Sequence, residues 1–107
     1  MLDNERLQAE LIDIRAVLFE RIAAVNMQLA KTRSANVHEL SQSEENNENL
    51  EAALLAAQRE LRQLNHALQR IYDKTYHLCE YCGANIDAKR LGALPYTSMC
   101  NKCALHQ

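Results

Sequence analysis

The chain has 107 residues, with 12 Lys and Arg against 14 Asp and Glu and a formal net charge of -2. That leaves room for one small domain or one long element with a small head, and it argues against a strongly basic nucleic-acid binder. Two glycines, one proline and no tryptophan are too few breaks for an all-β fold, while Ala, Leu, Glu, Gln and Arg dominate residues 2–74 and make that portion helical in composition.

In chain order, the first element is an amphipathic helix over about residues 2–31. Apolar residues fall at Leu7, Leu11, Ile14, Leu18, Ile22, Val25 and Leu29, one stripe at helical spacing. The repeated four-residue step from Leu18 to Ile22 departs from a heptad, and Ile12, Val17 and Phe19 are expected to widen the apolar face. At 1.5 Å per residue such a helix is about 45 Å long.

Residues 32–41 lose the stripe, collect Thr, Ser, Asn and His, and read as a turn or tip. Ser41-Gln42-Ser43-Glu44 has the form of a capping box, which predicts a second helix starting at about residue 42 and running to about 74. Acid exceeds base there, with 7 Asp and Glu against 4 Lys and Arg over residues 36–75. Glu44, Glu45, Glu48 and Glu51 sit where the first turns of a helix favour negative charge. From Leu50 the pattern is a strict heptad seam: Leu50, Leu54, Ala57, Leu61, Leu64, Leu68 and Ile71. Two stripes of similar length joined by a short polar turn are most simply buried against each other, so residues 1–75 are expected to form an antiparallel coiled-coil hairpin and the chain a monomer. Pairing between two chains is the alternative.

All four cysteines lie in the last third, as two Cys-x-x-Cys knuckles, Cys79/Cys82 and Cys100/Cys103, separated by 17 residues. Each knuckle offers two thiolates on one side of a tight turn, and two knuckles close a tetrahedron of sulfur around Zn²⁺. Disulfides fit less well. The start Met1-Leu2-Asp3-Asn4-Glu5-Arg6 is not a signal peptide, no apolar run spans a membrane, and a reducing cytoplasm is expected. Thioredoxin-type chemistry would need a βαβ context, and no strand pattern precedes the knuckles; iron ligation is a further alternative.

Residues 76–107 thus form a four-Cys zinc finger holding one structural Zn²⁺. Gly83 is placed for positive φ beside Cys82. Leu78, Ile86, Leu91, Leu94, Tyr96 and Met99 are the expected core, too small to fold without the metal. Tyr72 and Tyr76 are expected to pack the helix onto the finger, and His38, His66, His77 and His106 to lie on the surface. A helical hairpin makes no obvious cleft, and no phosphate loop, His-Glu-x-x-His or Ser/His/Asp arrangement is present, so no enzyme activity is expected.

The run Cys79-x-x-Cys82-Gly83-x-x-Ile86-x-x-x-Arg90-Leu91-x-x-x-Pro95-x-x-x-x-Cys100-x-x-Cys103 resembles the zinc-finger signature of the DksA/TraR family of bacterial transcription regulators. The polar turn and the leucine-striped helix leading into the finger resemble that family too. The resemblance implies direct binding to RNA polymerase without DNA, with the coiled-coil tip in the secondary channel modulating initiation, in some members together with the alarmone ppGpp of the stringent response. The family's Asp-x-x-Asp-x-Ala tip falls on Asn36, Glu39 and Ser41, so that one of the two acids survives; a shift of one residue would put Ala35, His38 and Leu40 there instead.

Two rival readings come from other classes. The Cys-x2-Cys-x17-Cys-x2-Cys spacing also occurs in GATA-type DNA-binding fingers, but these need a basic helix and tail, and residues 76–107 carry 3 basic against 2 acidic residues. The third reading is a structural coiled-coil assembly protein capped by its finger.

Overall fold

In the computed structural model, residues 4–33 and 40–105 are described, the side chains of residues 32–33 and 40–46 excepted. Four helices follow in order: α1 (Asn4–Arg33), α2 (Leu40–Tyr72), α3 (Ala88–Ala93) and α4 (Asn101–Leu105). The chain is mainly helical, and α1 and α2 form a long helical hairpin. Among the described residues there is no strand beyond one isolated antiparallel bridge, Leu78 with Asn85. No helix among them is long and apolar enough to cross a membrane.

The seam on α1 differs from the apolar stripe at one layer. Leu11, Leu18 and Leu29 are buried and Leu7, Ile22 and Val25 half-buried, but Ile14 is 37% exposed while its neighbour Arg15 is half-buried. Taking Arg15 and Gln8 as layer residues, with Leu7 half-buried beside them, the seam runs Gln8, Leu11, Arg15, Leu18, Ile22, Val25, Leu29, in alternating steps of three and four. The repeated four-residue step at Leu18 to Ile22 therefore disappears, since the methylene stem of an arginine is able to line a seam. Ile12, Val17 and Phe19 do not widen the buried face; they are 42%, 52% and 53% exposed.

On α2 the seam follows the leucine heptad, with Ala57, Leu64 and Ile71 buried and Leu50, Leu54, Leu61 and Leu68 half-buried. Ala67 is buried beside it. A small residue there lets the helix approach its neighbours closely.

The start of α2 is earlier than the capping-box pattern implies. The helix begins at Leu40, so Ser41 is its second residue rather than a cap ahead of it, and the Ser41 side chain lies outside the described ones. Asn36, Glu39 and His38 lie outside the described residues, as does His106. The end of α2 is sharply made. Lys74 has φ +65°, its N–H donates to the Ile71 carbonyl at 3.1 Å, and the Thr75 N–H donates to the Arg70 carbonyl at 2.8 Å. That pair of bonds around a left-handed residue is a Schellman ending, built here on lysine rather than glycine.

Two compact units arise, and their boundary crosses both long helices. One comprises Asp13–Leu61, and the other combines Met1–Ile12 with Arg62–Gln107. In the first, burial is confined to the helical seam. In the second, the seam residues Leu11, Leu64 and Ile71 and the neighbouring Ala67 share one unit with Tyr76, Ile86 and Leu91 of the finger, so the last turns of α2 are part of the finger's foundation.

The adjacent pair Leu18 and Phe19 tests this packing, being 1% and 53% exposed. Leu18→Ala is expected to cost about 2–5 kcal/mol through lost burial and a residual cavity. Phe19→Ala is expected to stay within about 1 kcal/mol despite removing the larger side chain. Urea unfolding of the two variants checks the order.

Candidate metal centre

The first knuckle is shaped by backbone bonds. The Cys79 N–H donates to the Ala84 carbonyl at 2.8 Å, Gly83 N–H to the Cys79 carbonyl at 3.0 Å, and Ile86 N–H to the His77 carbonyl at 2.8 Å. This tight hairpin turns at Gly83, whose φ is +77°. Space is open around the missing Cβ, so glycine is favoured there by the left-handed backbone rather than by crowding.

The second knuckle is carried by α3, the following loop and α4. Asp87 caps α3 by accepting from the Lys89 N–H at 3.3 Å. The Leu94 N–H donates to the Arg90 carbonyl at 2.7 Å and ends the helix. Arg90 then reaches over the loop, donating from Nε to the Met99 carbonyl at 2.9 Å and from Nη1 to Asn101 Oδ1 at 3.1 Å. Cys100 sits immediately before α4, its carbonyl accepting from the Ala104 N–H at 3.0 Å.

Several bonds join the two halves. The Glu80 N–H donates to the Ser98 carbonyl at 2.8 Å, and the buried Tyr76 hydroxyl donates to the Pro95 carbonyl at 2.7 Å. Arg70, from α2, is 4% exposed. Its Nη1 donates to the Thr97 carbonyl at 3.0 Å, and its Nη2 to the carbonyls of Thr75 and Tyr76 at 3.1 Å each and of Leu78. His66 Nε2, also on α2, lies 2.5 Å from Glu80 Oε1. Burial pushes the Glu80 carboxyl up, but hydrogen bonds from Ser98 and His66 outweigh it and hold the group below its usual range.

These elements bring the four cysteine sulfurs within 4.8 Å of one another, with Cys82 and Cys100 Sγ 3.6 Å apart. A tetrahedron with Zn–S bonds of about 2.3 Å has edges of about 3.8 Å, so the set fits one zinc ion. The acidities make the same point. Backbone hydrogen bonding from Cys100, aided by Cys82 and Tyr81, lowers the Cys79 thiol to about 6 against the opposing effect of burial. Cys100 is likewise lowered, first by the Cys103 backbone. Cys103 is instead pushed up to about 12 by the neighbouring sulfurs, Cys79 foremost. Sulfurs this close cannot all ionise unless a cation sits among them, and a divalent metal is that cation. Cys79, Cys82, Cys100 and Cys103 are therefore positioned to bind one structural Zn²⁺, which supplies the organising charge and bonds of the finger.

Of the expected finger core, Ile86 and Leu91 are buried and Leu78, Tyr96 and Met99 half-buried, but Leu94 is 49% exposed. Leu94 ends α3 by its backbone and contributes little burial. Tyr76 packs as expected, whereas Tyr72 is 77% exposed, because the chain reverses just after it. His66 and His77 are exposed, His66 with a specific partner in Glu80. Arg70 went unrecognised in the sequence because its partners are main-chain carbonyls, which no residue pattern marks; Arg90 stood in the signature, but its bonds to Met99 and Asn101 were not foreseen.

Freshly purified, reduced protein is expected to contain one zinc per chain, and Cys100→Ser or chelation to remove it and the order of the finger. Acid works in the same direction. Protons compete with the metal for thiolates, and a carboxyl held low, as at Glu80, contributes stability above its ordinary range that is lost as pH falls through the folded value. Zinc assays across a titration from neutral to acidic pH check this; a finger that stays ordered without metal would contradict it.

Comparison with known proteins agrees with this geometry. Residues 74–105 match the prokaryotic dksA/traR C4-type zinc finger. An uncharacterized protein of Aquifex aeolicus (strain VF5) is 38% identical over 69 residues, covering 64% of this chain and 46% of that protein, so the chain spans less than half the length of this curated relative. The transcription factor DksA2 from Pseudomonas aeruginosa superimposes with a TM-score of 0.86 at 22% identity, over 97% of this chain and 81% of that one. The RNA polymerase binding protein and transcriptional regulator Dks from Chlamydia trachomatis L2 (LGV434) gives a TM-score of 0.47 at 22% identity, over 99% and 91% of the two chains, too loose a likeness to build on. Residues 74–105 thus carry a finger of the dksA/traR C4 type, and the chain as a whole has a helical-hairpin fold like that of DksA2, ending in four clustered cysteines.

Proposed function

We propose that this chain is a bacterial transcription regulator that binds RNA polymerase directly and modulates initiation from the secondary channel. The observation that carries the reading is the union of a dksA/traR finger with a helical hairpin of DksA2-like fold. The finger, with 3 basic residues against 2 acidic over residues 76–107, offers little to a phosphate backbone, which favours a protein partner over DNA. The acting form is a cytoplasmic monomer, its two seams satisfied within one chain, and ppGpp is a further ligand of the complex rather than of the chain alone.

The acting group is assigned to the segment that leads from α1 into the start of α2, at Asn36, Glu39 and Ser41. A carboxylate is the chemistry suited to an enzyme centre that works with Mg²⁺, because hard cations take oxygen ligands and basic side chains respond to a nearby anion. Glu39 supplies that charge. Asn36 accepts and donates hydrogen bonds but carries none, so its interaction with a cation is weaker.

Co-elution with bacterial RNA polymerase core enzyme tests the binding, and its absence with zinc-loaded protein would reject the reading. Glu39→Ala is expected to leave polymerase affinity within a few fold while reducing the effect on initiation, as read by competition binding and in vitro transcription. Unchanged transcriptional effect in that variant would remove Glu39 from the mechanism.

A further inference from the structure

We propose that Arg70 is the positioning residue of the zinc centre, and that through it metal occupancy is coupled to the last turn of α2. Arg70 lies ahead of the matched finger segment, residues 74–105, yet its guanidinium holds main-chain carbonyls on the approach to both knuckles. Thr75, Tyr76 and Leu78 lead into Cys79, and Thr97 leads towards Cys100. A planar fork with fixed donor directions can hold two chain segments at a set separation, which a point charge cannot. The Arg70 backbone joins the same arrangement, since its carbonyl accepts from the Thr75 N–H at 2.8 Å.

Two features argue that this burial has a purpose beyond packing. The third nitrogen, Nε, is buried without a partner, so the cation stays in the interior at a cost that an apolar residue would avoid. The guanidinium carbon also lies 5.9 Å from the Tyr76 ring centroid, and the Tyr76 hydroxyl is bonded to the Pro95 carbonyl, so the chain segments leading to the two knuckles are joined twice at one place. Arg70 lines the same small cavity as Cys79 and Glu80. Four thiolates around one divalent ion leave the centre anionic, and a buried cation nearby favours that loaded state. Coupling is reciprocal: a residue that steadies the loaded centre is itself steadied by loading.

The test is the rate at which zinc passes from the holoprotein to a chromophoric chelator at neutral pH. Arg70→Met is expected to speed release by about 10–100-fold, the range found when groups supporting metal ligands are removed. Arg70→Lys, keeping the charge but not the fork, is expected to fall between Met and wild type. Leu64→Ala, at the fully buried Leu64 on the same helix, is the reference for general loosening. Release from Arg70→Met no faster than from Leu64→Ala would overturn the proposal, as would Arg70→Lys indistinguishable from wild type if the Met variant does not fold. Hydrogen exchange supplies a second readout. Amides of residues 69–72 are expected to lose protection when zinc is removed from wild type but to change little in Arg70→Lys. Equal loss in both proteins would overturn the coupling.

Discussion

Four sulfur atoms held within 4.8 Å impose the constraint on which the finger depends. Backbone amides lower two of the thiols, but ionising them raises the cost of ionising the rest, and the proton driven onto Cys103 marks the limit of what the protein can do alone. Only a cation at the centre removes that conflict. The apolar contribution is slight by comparison, since few residues between Tyr76 and Cys103 are fully buried. Metal binding and folding of this segment are for that reason expected to be coupled.

The helices meet a different constraint, that of keeping a regular seam over many turns. Burying Ile14 would gain apolar area but break the alternation of three and four, forcing a local change of winding. Using the half-buried Arg15 sacrifices that area and keeps the register, a place that the methylenes of an arginine are able to fill. Regular packing is favoured because every layer beyond the break would otherwise be displaced around the helix. The exposed Ile12 and Phe19, each one residue beyond a buried leucine, lie about 100° around the helix from the seam and cannot share it.

Much of this was legible in the sequence because the signals were local or periodic. Two Cys-x-x-Cys pairs with Gly83 between them specify a metal knuckle by short-range geometry, and the α2 heptad from Leu50 to Ile71 specifies a seam by repetition. Less legible were features that depend on partners distant in the chain. Arg70 was one unremarkable charge in a helix until its carbonyl partners, as far away as Thr97, were known. Leu94 and Tyr72 looked like core by composition, but a helix end and a chain reversal leave them exposed. At the start of α2 the Ser-x-x-Glu pattern pointed to a cap one residue beyond where the helix begins.

The boundary between the compact units bears on how the protein is assembled from these parts. A finger held only from its first cysteine onwards would depend for its orientation on the link through Lys74 and Thr75, just past the end of α2. Instead the Schellman ending fixes the reversal, and the chain on both sides of it is bonded to Arg70. His66 and Glu80 add an attachment one helical turn earlier. The unit formed by Met1–Ile12 and Arg62–Gln107 thus joins two kinds of cohesion, a heptad seam that is stable by burial and a metal knuckle that is stable by charge. Neither is extensive there. The turns of α2 that carry the buried Leu64 and Ile71 also carry His66 and Arg70, which bond to the finger, so the metal centre is founded on these helix turns rather than appended to them.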